Sequence, residues 1–282
     1  MLDVCNPATS TLSQAIADGA RLAVLTGAGC STASGIPDYR DDNGDWKHAR
    51  PVMFQDFVAN PAVRQRYWAR SMLGWPRMSA AQPGQAHRAL TSLQAAGHVQ
   101  RLITQNVDGL HQQAGSRQVI DLHGRLDEVR CLSCATLTAR AEWQALIASR
   151  NPDWQDTVHS VRDAPDGDAI IENADYGMFD VPDCPVCGGV VKPEVVFFGE
   201  SVPRQRVDDA YAAVDAADGL LVAGSSLMVF SGFRFAKRCH ELGKPLIIVN
   251  RGVTRADELA TEKLEGDIGE ILTAIAEQAN RA

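Results

Sequence analysis

Short apolar runs recur along the chain at residues 22–25, 101–104, 119–122, 220–223 and 246–249. Each is bounded by polar residues or glycine, and segments with helical spacing of apolar positions separate most of them. The runs read as buried parallel strands, and their alternation with helices predicts an α/β fold with a mainly parallel, Rossmann-like sheet. Such sheets bind ligands beyond the carboxyl ends of their strands. Thr26-Gly27-Ala28-Gly29, Gln105-Asn106, His123-Gly124, Gly224-Ser225-Ser226 and Asn250 follow the runs directly, so they are expected to meet at one edge and form one site.

Two stretches break the alternation. Residues 45–93 are rich in aromatics and read as an inserted helical module. Residues 126–195 carry two cysteine pairs and a polar, Asp-rich embedded loop at 151–180. Residues 1–44, 94–125 and 196–282 are left to the sheet domain.

The cysteines are the strongest chemical signal. Cys131-x-x-Cys134 and Cys184-x-x-Cys187 are two knuckles, each able to turn two thiolates toward one ion. Four sulfurs close a tetrahedral zinc site and leave no position for water, so one structural Zn2+ is expected. The alternative is two disulfides or four buried thiols. Seven cysteines suit a disulfide framework poorly. Residues 1–10 have neither a basic n-region nor an apolar h-region, so no signal peptide is expected and the chain is expected to be cytoplasmic. The 49 residues between the pairs exceed zinc-ribbon spacing and imply an insertion. Cys5, Cys30 and Cys239 have no evident partner.

Hydrophobic residues make up 45% and charged residues 22% of the 282 positions, as in a soluble globular protein. No apolar stretch approaches the roughly 20 residues of a membrane helix. The formal charge of −8 supplies no basic field for nucleic acid. Neither a membrane nor a nucleic acid is therefore an expected partner, and the oligomeric state is not readable.

Gly27-Ala28-Gly29 after a strand suits close backbone approach to a pyrophosphate. The third position of G-x-G-x-x-G is Thr32, however, and no acidic residue clearly follows the next strand to hold a ribose. An ordinary tight turn remains open on this motif alone. The longer segment Gly27-Ala-Gly-Cys-Ser-Thr-Ala-Ser-Gly-Ile-Pro-Asp-Tyr-Arg40 resembles the cofactor loop of the sirtuins, the NAD-dependent protein deacylases. Thr104-Gln-Asn-Val-Asp-Gly-Leu-His111 resembles their second signature. His123-Gly124, the four cysteines, residues 193–200 and Gly224-Ser-Ser226 follow in the family's order, so the resemblance spans roughly residues 22–268. Residues 64–70, Trp75-Pro76 and Pro165-Asp-Gly-Asp168 further resemble class II sirtuins, the lineage of the mitochondrial sirtuin four. The lack of a presequence suggests a bacterial member.

The resemblance implies NAD as a consumed co-substrate and acylated lysine in proteins as the other substrate. The acyl oxygen attacks the nicotinamide ribose carbon and nicotinamide leaves. His123 then activates the ribose hydroxyl that takes up the acyl group, giving free lysine and O-acyl-ADP-ribose. An imidazole titrates near neutrality, which suits a general base. Asn106 joins His123 as a catalytic candidate. Gly27, Ala28, Gly29, Ser31, Asp38, Tyr39, Arg40, Gln105, Asn106, Val107 and Asp108 are implied on the cofactor's ribose, phosphate and nicotinamide portions. Gly224, Ser225, Ser226, Asn250, Arg251, Gly252 and Ile268 are implied toward its pyrophosphate and adenosine end. Phe198, Gly199 and Glu200, with Met228-Val229-Phe230, resemble the two segments between which a substrate peptide lies as an added strand. Tyr67 and Arg70, three apart on one helix face, resemble a pair that grips acidic acyl groups; alternatively Arg70 is structurally paired. His87 and His111 read as structural. A protein ADP-ribosyltransferase and an NAD sensor without turnover are the rival functions.

Overall fold

The computed structural model describes residues 10–47, 51–154, 161–163, 167–171 and 175–281. Its strands are β1 (Leu22–Thr26), β2 (Val99–Thr104), β3 (Val119–Asp121), β4 (Gly124–Cys131), β5 (Leu137–Ala139), β6 (Val161–Asp163), β7 (Ala169–Ile171), β8 (Val191–Val195), β9 (Gly219–Ala223), β10 (Leu246–Val249) and β11 (Glu262–Leu264). Six of them form one sheet in the order β11-β10-β9-β1-β2-β3, and every pairing in it is parallel. The five apolar runs are five of these strands. The sixth, β11, reads Glu-Lys-Leu at an edge and has no apolar run to reveal it.

Side chains alternate across the sheet, and each face builds its own core. Val24, Leu102, Leu221 and Ile247 point to one side, where helices Thr11–Ala17, Gln85–Ala95 and Ile268–Ala279 cover them. Leu25, Ile103, Val222 and Ile248 point to the other, under helices Arg204–Ala216 and Phe230–Glu241. Burial on both faces explains why the central strands β1, β9 and β10 are apolar nearly throughout. Strand order reverses between β1 and β9, which is where such sheets open a ligand crevice.

The helical and cysteine-bearing stretches share a single core. Helix Pro61–Ala80 starts where Asn60 accepts a hydrogen bond from the Ala62 N–H (3.0 Å), with Pro61 at the first position. Its Trp68 packs on Trp143 of helix Arg140–Arg150 at 5.4 Å between centroids. Beneath them lie Phe57, Val129, Ile147, Val191 and Phe197, on the antiparallel sheet β5-β4-β8. Buried Arg140 stacks on Trp68 and Trp75 (5.5 and 5.1 Å) and donates to the Ser71 carbonyl and hydroxyl. Burial pushes its guanidinium down to about 10. The insertion between the cysteine pairs thus supplies the helix that joins the zinc module to the helical one. Helix Gln85–Ala95, placed at the sequence level mostly within the helical module, packs Ala86, Ala89, Leu90 and Leu93 into the sheet core instead.

The loop at 151–180 is described only in part; Pro165 and Asp166 lie outside the described residues, as does Cys5. Among the described residues, no helix is long and apolar enough to cross a membrane.

Candidate active site

A cleft of about 940 Å³ opens between the carboxyl ends of the parallel strands and the smaller domain. Every NAD- or peptide-site candidate named from the sequence lines it except Gly252 and Arg70.

The loops after β1 and β9 interlock at its floor. The Gly27 N–H donates to the Ala223 carbonyl (3.1 Å), and the Gly29 N–H to the Gly224 carbonyl (2.9 Å). A Cβ on Gly27 would meet Ser225 Cβ at 2.7 Å, and one on Gly224 (φ +64°) would meet the Cys30 nitrogen at 2.5 Å. These glycines are therefore required first by the packing of one loop on the other, a constraint beyond the pyrophosphate approach and the tight turn that the motif left open. The Asn106 amide donates to the Gly27 carbonyl and the Ser31 hydroxyl, both at 3.0 Å. Ser31 donates to the Asp108 carboxylate at 2.7 Å, while the Gln105 amide donates to Ser225 Oγ at 2.7 Å. This web presents Asn106, Asp108, Ser31 and Ser225 in one fixed arrangement.

Behind the web, His87 and His111 are buried with ring centroids 4.7 Å apart. Burial lowers both imidazoles, so they stay neutral. His87 Nδ1 accepts from the Gly84 N–H (3.1 Å), and His111 Nε2 lies 2.9 Å from the Thr26 hydroxyl. Both fit a structural role.

His123 sits just past β3. Its Nδ1 lies 3.0 Å from the Gln105 carbonyl oxygen, which can only accept, so Nδ1 carries the proton and Nε2 the lone pair. Nε2 is 2.9 Å from the Ser231 hydroxyl. Burial pushes the imidazole down to about 4, against the raising effect of the Gln105 hydrogen bond. The ring is therefore neutral near pH 7, with its basic nitrogen at the cleft. Ser231 was not foreseen, although it lies one residue beyond the Met228-Val229-Phe230 segment.

The cleft's lid is braced internally. Asp38 pairs with Lys47 (2.6 Å), and Arg40 donates to the Gly44 carbonyl (2.6 Å) while stacking on Trp46 at 4.1 Å. Tyr39, Trp46 and Phe198 make mutual edge contacts at 5.6–6.2 Å, so the aromatic face of the loop after Gly35 meets the Phe198–Glu200 segment. Gly252 stands outside the cleft lining. Its φ of +78° lets the backbone pack directly on Asp42 behind the lid.

Two charged candidates have other partners. The Arg70 guanidinium pairs with the buried Asp168 carboxylate (3.1 Å) and donates to the Ala169 carbonyl (2.6 Å). Of the two roles left open from the sequence, acyl-carboxylate reader or structurally paired residue, these contacts match the second: Asp168 neutralises the guanidinium, and Arg70 is not among the residues lining the cleft. Beside this pair, a Cβ on Gly74 would lie 2.5 Å from the Gly167 carbonyl oxygen, so loop and helix are in direct contact. Tyr67 does line the cleft, packed against Phe57 and Phe197 at 5.4 and 5.2 Å. Glu200 borders the cleft, but its carboxylate pairs with Lys192 (3.2 Å) and accepts from the Phe197 N–H (2.9 Å). It braces the 197–200 turn from within.

The ligand atoms of Cys131, Cys134, Cys184 and Cys187 all lie within 4.8 Å of one another. The Cys131–Cys187 and Cys134–Cys184 sulfurs are 3.5 and 3.8 Å apart, far beyond a disulfide bond. A tetrahedron with Zn–S of about 2.3 Å has sulfurs about 3.8 Å apart. The donor set and spacing fit one structural zinc. The Cys134 and Ser133 backbone N–H groups face Cys131 Sγ and hold that thiol below its usual range.

Residues 27–231 match the Sir2 family. The chain belongs to that family. Among Sir2 relatives, the NAD-dependent protein deacetylase of Xanthomonas axonopodis pv. citri (strain 306) is 55% identical over 262 residues, 93% of this chain and 89% of its own. That of Bordetella bronchiseptica (strain ATCC BAA-588 / NCTC 13252 / RB50) is 53% identical over 255 residues, 90% and 92% of the two chains. Among solved structures, a Sir2 protein with a p53 peptide and NAD+ superposes with a TM-score of 0.74 at 30% identity, covering 95% of this chain and 98% of its own.

Proposed function

We propose that this Sir2 protein is an NAD-dependent protein-lysine deacylase that releases nicotinamide, free lysine and O-acyl-ADP-ribose. The carrying observation is His123: a neutral imidazole with Nδ1–H fixed on Gln105 and Nε2 turned to the cleft. A sensor has no need of a base held in one tautomer. NAD supplies the electrophilic ribose carbon and the hydroxyl that accepts the acyl group. Asn106, Asp108 and Ser31 are placed to hold its nicotinamide and ribose end, and Gly224–Ser226 with Asn250 its pyrophosphate and adenosine end. His123 Nε2 takes the ribose hydroxyl proton, and the Phe198 and Val229 segments hold the acyl-lysine peptide between them. The relatives' name, protein deacetylase, supports the reaction class.

The acyl end is proposed to be uncharged. Near Tyr67 the cleft is lined by Val52, Val107 and Phe197, while Arg70 is neutralised by Asp168. A place among the class II sirtuins belongs to the same proposal, supported by the contact of two motifs that carry it, through Arg70–Asp168 and Gly74–Gly167. A cytoplasmic location belongs to the same proposal, supported by a four-cysteine zinc site that needs reduced sulfurs.

The test is purified protein with NAD and a panel of acyl-lysine peptides, followed by mass spectrometry. O-acyl-ADP-ribose appearing with free lysine is the expected outcome. ADP-ribose attached to protein, without acyl loss, would instead establish the transferase.

A further inference from the structure

One wall of the cleft carries charge that this chemistry leaves unused. Phe230 and Val229 are 54% and 37% exposed at the cleft mouth. Two guanidinium groups stack on the Phe230 ring, Arg234 at 5.1 Å and Arg255 at 5.9 Å from its centroid. Arg255 also lies 4.4 Å over Phe233 and donates to the Met228 carbonyl (3.4 Å), which fixes it beside the peptide-binding segment. Arg234 lines the cleft, and its buried Nε–H has no hydrogen-bond partner. Arg204, which begins helix Arg204–Ala216 beside the helix that carries Arg234, also lines the cleft, and its 3.5 Å contact to Asp208 is an exposed one. Such a contact holds little charge in check in water.

Two acidic groups near this wall, Glu200 and Asp257, are engaged elsewhere. Glu200 holds Lys192 and the Phe197 N–H, and Asp257 holds Lys263 and Thr254. The whole chain carries a formal charge of −8, so attraction for an anionic partner has to come from a local group of cations such as this one. A buried guanidinium N–H without a partner is costly and calls for an acceptor. Stacking on Phe230 and Phe233 fixes the planar forks in advance, the arrangement that suits carboxylates.

We propose that Arg234, Arg255 and Arg204 form a subsite for acidic side chains of the substrate, so that the enzyme favours acyl-lysines flanked by Asp or Glu. The proposal rests on the deacylase reading for its ligand, since the subsite borders the segments that would hold the acylated peptide. The exposed Phe230 and Val229 offer apolar contact, and the arginines select the flanking charge. Selection of this kind is salt-dependent, because the interacting groups are open to solvent.

The test is direct binding of fluorescent acetyl-lysine peptides, identical except for Glu, Gln or Lys at the positions flanking the acyl-lysine, to the full chain. NAD-dependent deacylation of the same peptides is followed in parallel. The Glu peptide is expected to bind about tenfold more tightly than the Gln peptide, the equivalent of one charged hydrogen bond, and the Lys peptide more weakly still. High salt should compress the series. Arg255→Gln and Arg234→Gln should each move the Glu-to-Gln ratio toward one, and Arg255→Lys, which keeps the charge, should retain part of it. Melting curves confirm that the variants are folded. Equal dissociation constants for the three peptides, or a Glu preference that survives both Gln substitutions, would overturn the subsite. Deacylation of all three peptides at equal affinity removes the subsite and leaves the deacylase reading intact. A Glu preference in binding without any acyl loss does the reverse.

Discussion

The two walls of the cleft use their polar residues differently. On the strand-end wall, Asn106, Ser31, Asp108 and Gln105 bond to one another and to loop backbone, yet they still line the cleft. On the small-domain side, Glu200 at the cleft border is taken up by Lys192, and Arg70, outside the lining, by Asp168. A parallel sheet sends every strand end to the same edge, so a polar residue one step past an apolar run has its location set by the backbone. A charged residue on a surface helix goes wherever its partner stands, and that partner can be a hundred residues away. The zinc site lies on the second side but behaves like the first, because two residues between cysteines fix local geometry.

Removing the metal should break the small-domain side most severely. Structural zinc contributes roughly 10–16 kcal/mol in small zinc peptides at neutral pH. Cys131 and Cys184 belong to the same core as Tyr67, Trp68 and Phe197. Chelation, or Cys184→Ser, should therefore release one zinc per chain, lower the melting temperature and abolish peptide turnover. Metal analysis of protein purified without chelator checks the stoichiometry; zinc retained at full occupancy in Cys184→Ser would remove the cluster as the site.

The strand-end wall is tested at His123. His123→Ala should cost about 10²–10⁴-fold in acyl removal while leaving NAD binding largely intact. Its pH dependence follows from the lowered pKa. The base works in its neutral form, which burial favours, so kcat/KM should hold as pH falls through 6.5 and drop only near the value of about 4. An acid limb centred near 6.5 would place the free imidazole in water instead of in this cleft.

The fold was legible where the backbone determines position. Five strands were readable because each carries a short apolar run, and the central β1, β9 and β10 are buried on both faces. β11, an edge strand reading Glu-Lys-Leu, carries no such run. The cysteine knuckles were readable from local spacing, but the fusion of two modules into one core was not, since Trp68–Trp143 and Arg140–Ser71 join residues about seventy apart. For the same reason Arg70 stayed open between acyl reader and structural partner until the structure corrected the first: nothing in Tyr-x-x-Arg points to Asp168.

That correction can be tested directly. Removing one partner of a buried ion pair typically costs about 3–5 kcal/mol, and the 2% exposed Asp168 side chain places this pair near that class. Arg70→Met should lower stability to urea by up to this amount and slow acetyl and carboxyacyl substrates alike. Arg70→Met combined with Asp168→Leu should recover part of the loss, because no buried charge is then stranded. Selective loss on carboxyacyl-lysine alone would return Arg70 to the acyl pocket.

The smallest expected effect belongs to Ser231, and it probes the strand-end wall from the opposite side. The Ser231 hydroxyl is placed to donate to His123 Nε2, the nitrogen that must take the ribose hydroxyl's proton. The contact stabilises the neutral imidazole, and it has to give way before Nε2 can act on substrate. These two consequences oppose each other. Ser231→Ala removes a hydrogen bond to the neutral form, so the His123 pKa should rise and the acid limb of kcat/KM should move to higher pH. At neutral pH the base stays unprotonated and no longer has a bond to release. A single hydrogen bond is worth about 0.5–1.5 kcal/mol net, so turnover there should change by no more than about tenfold. A pH profile of Ser231→Ala beside that of the unsubstituted protein reads both effects. A loss as deep as that of His123→Ala would mean that Ser231 takes part in the chemistry, and an unmoved acid limb would mean that the hydroxyl does not bond the base in solution.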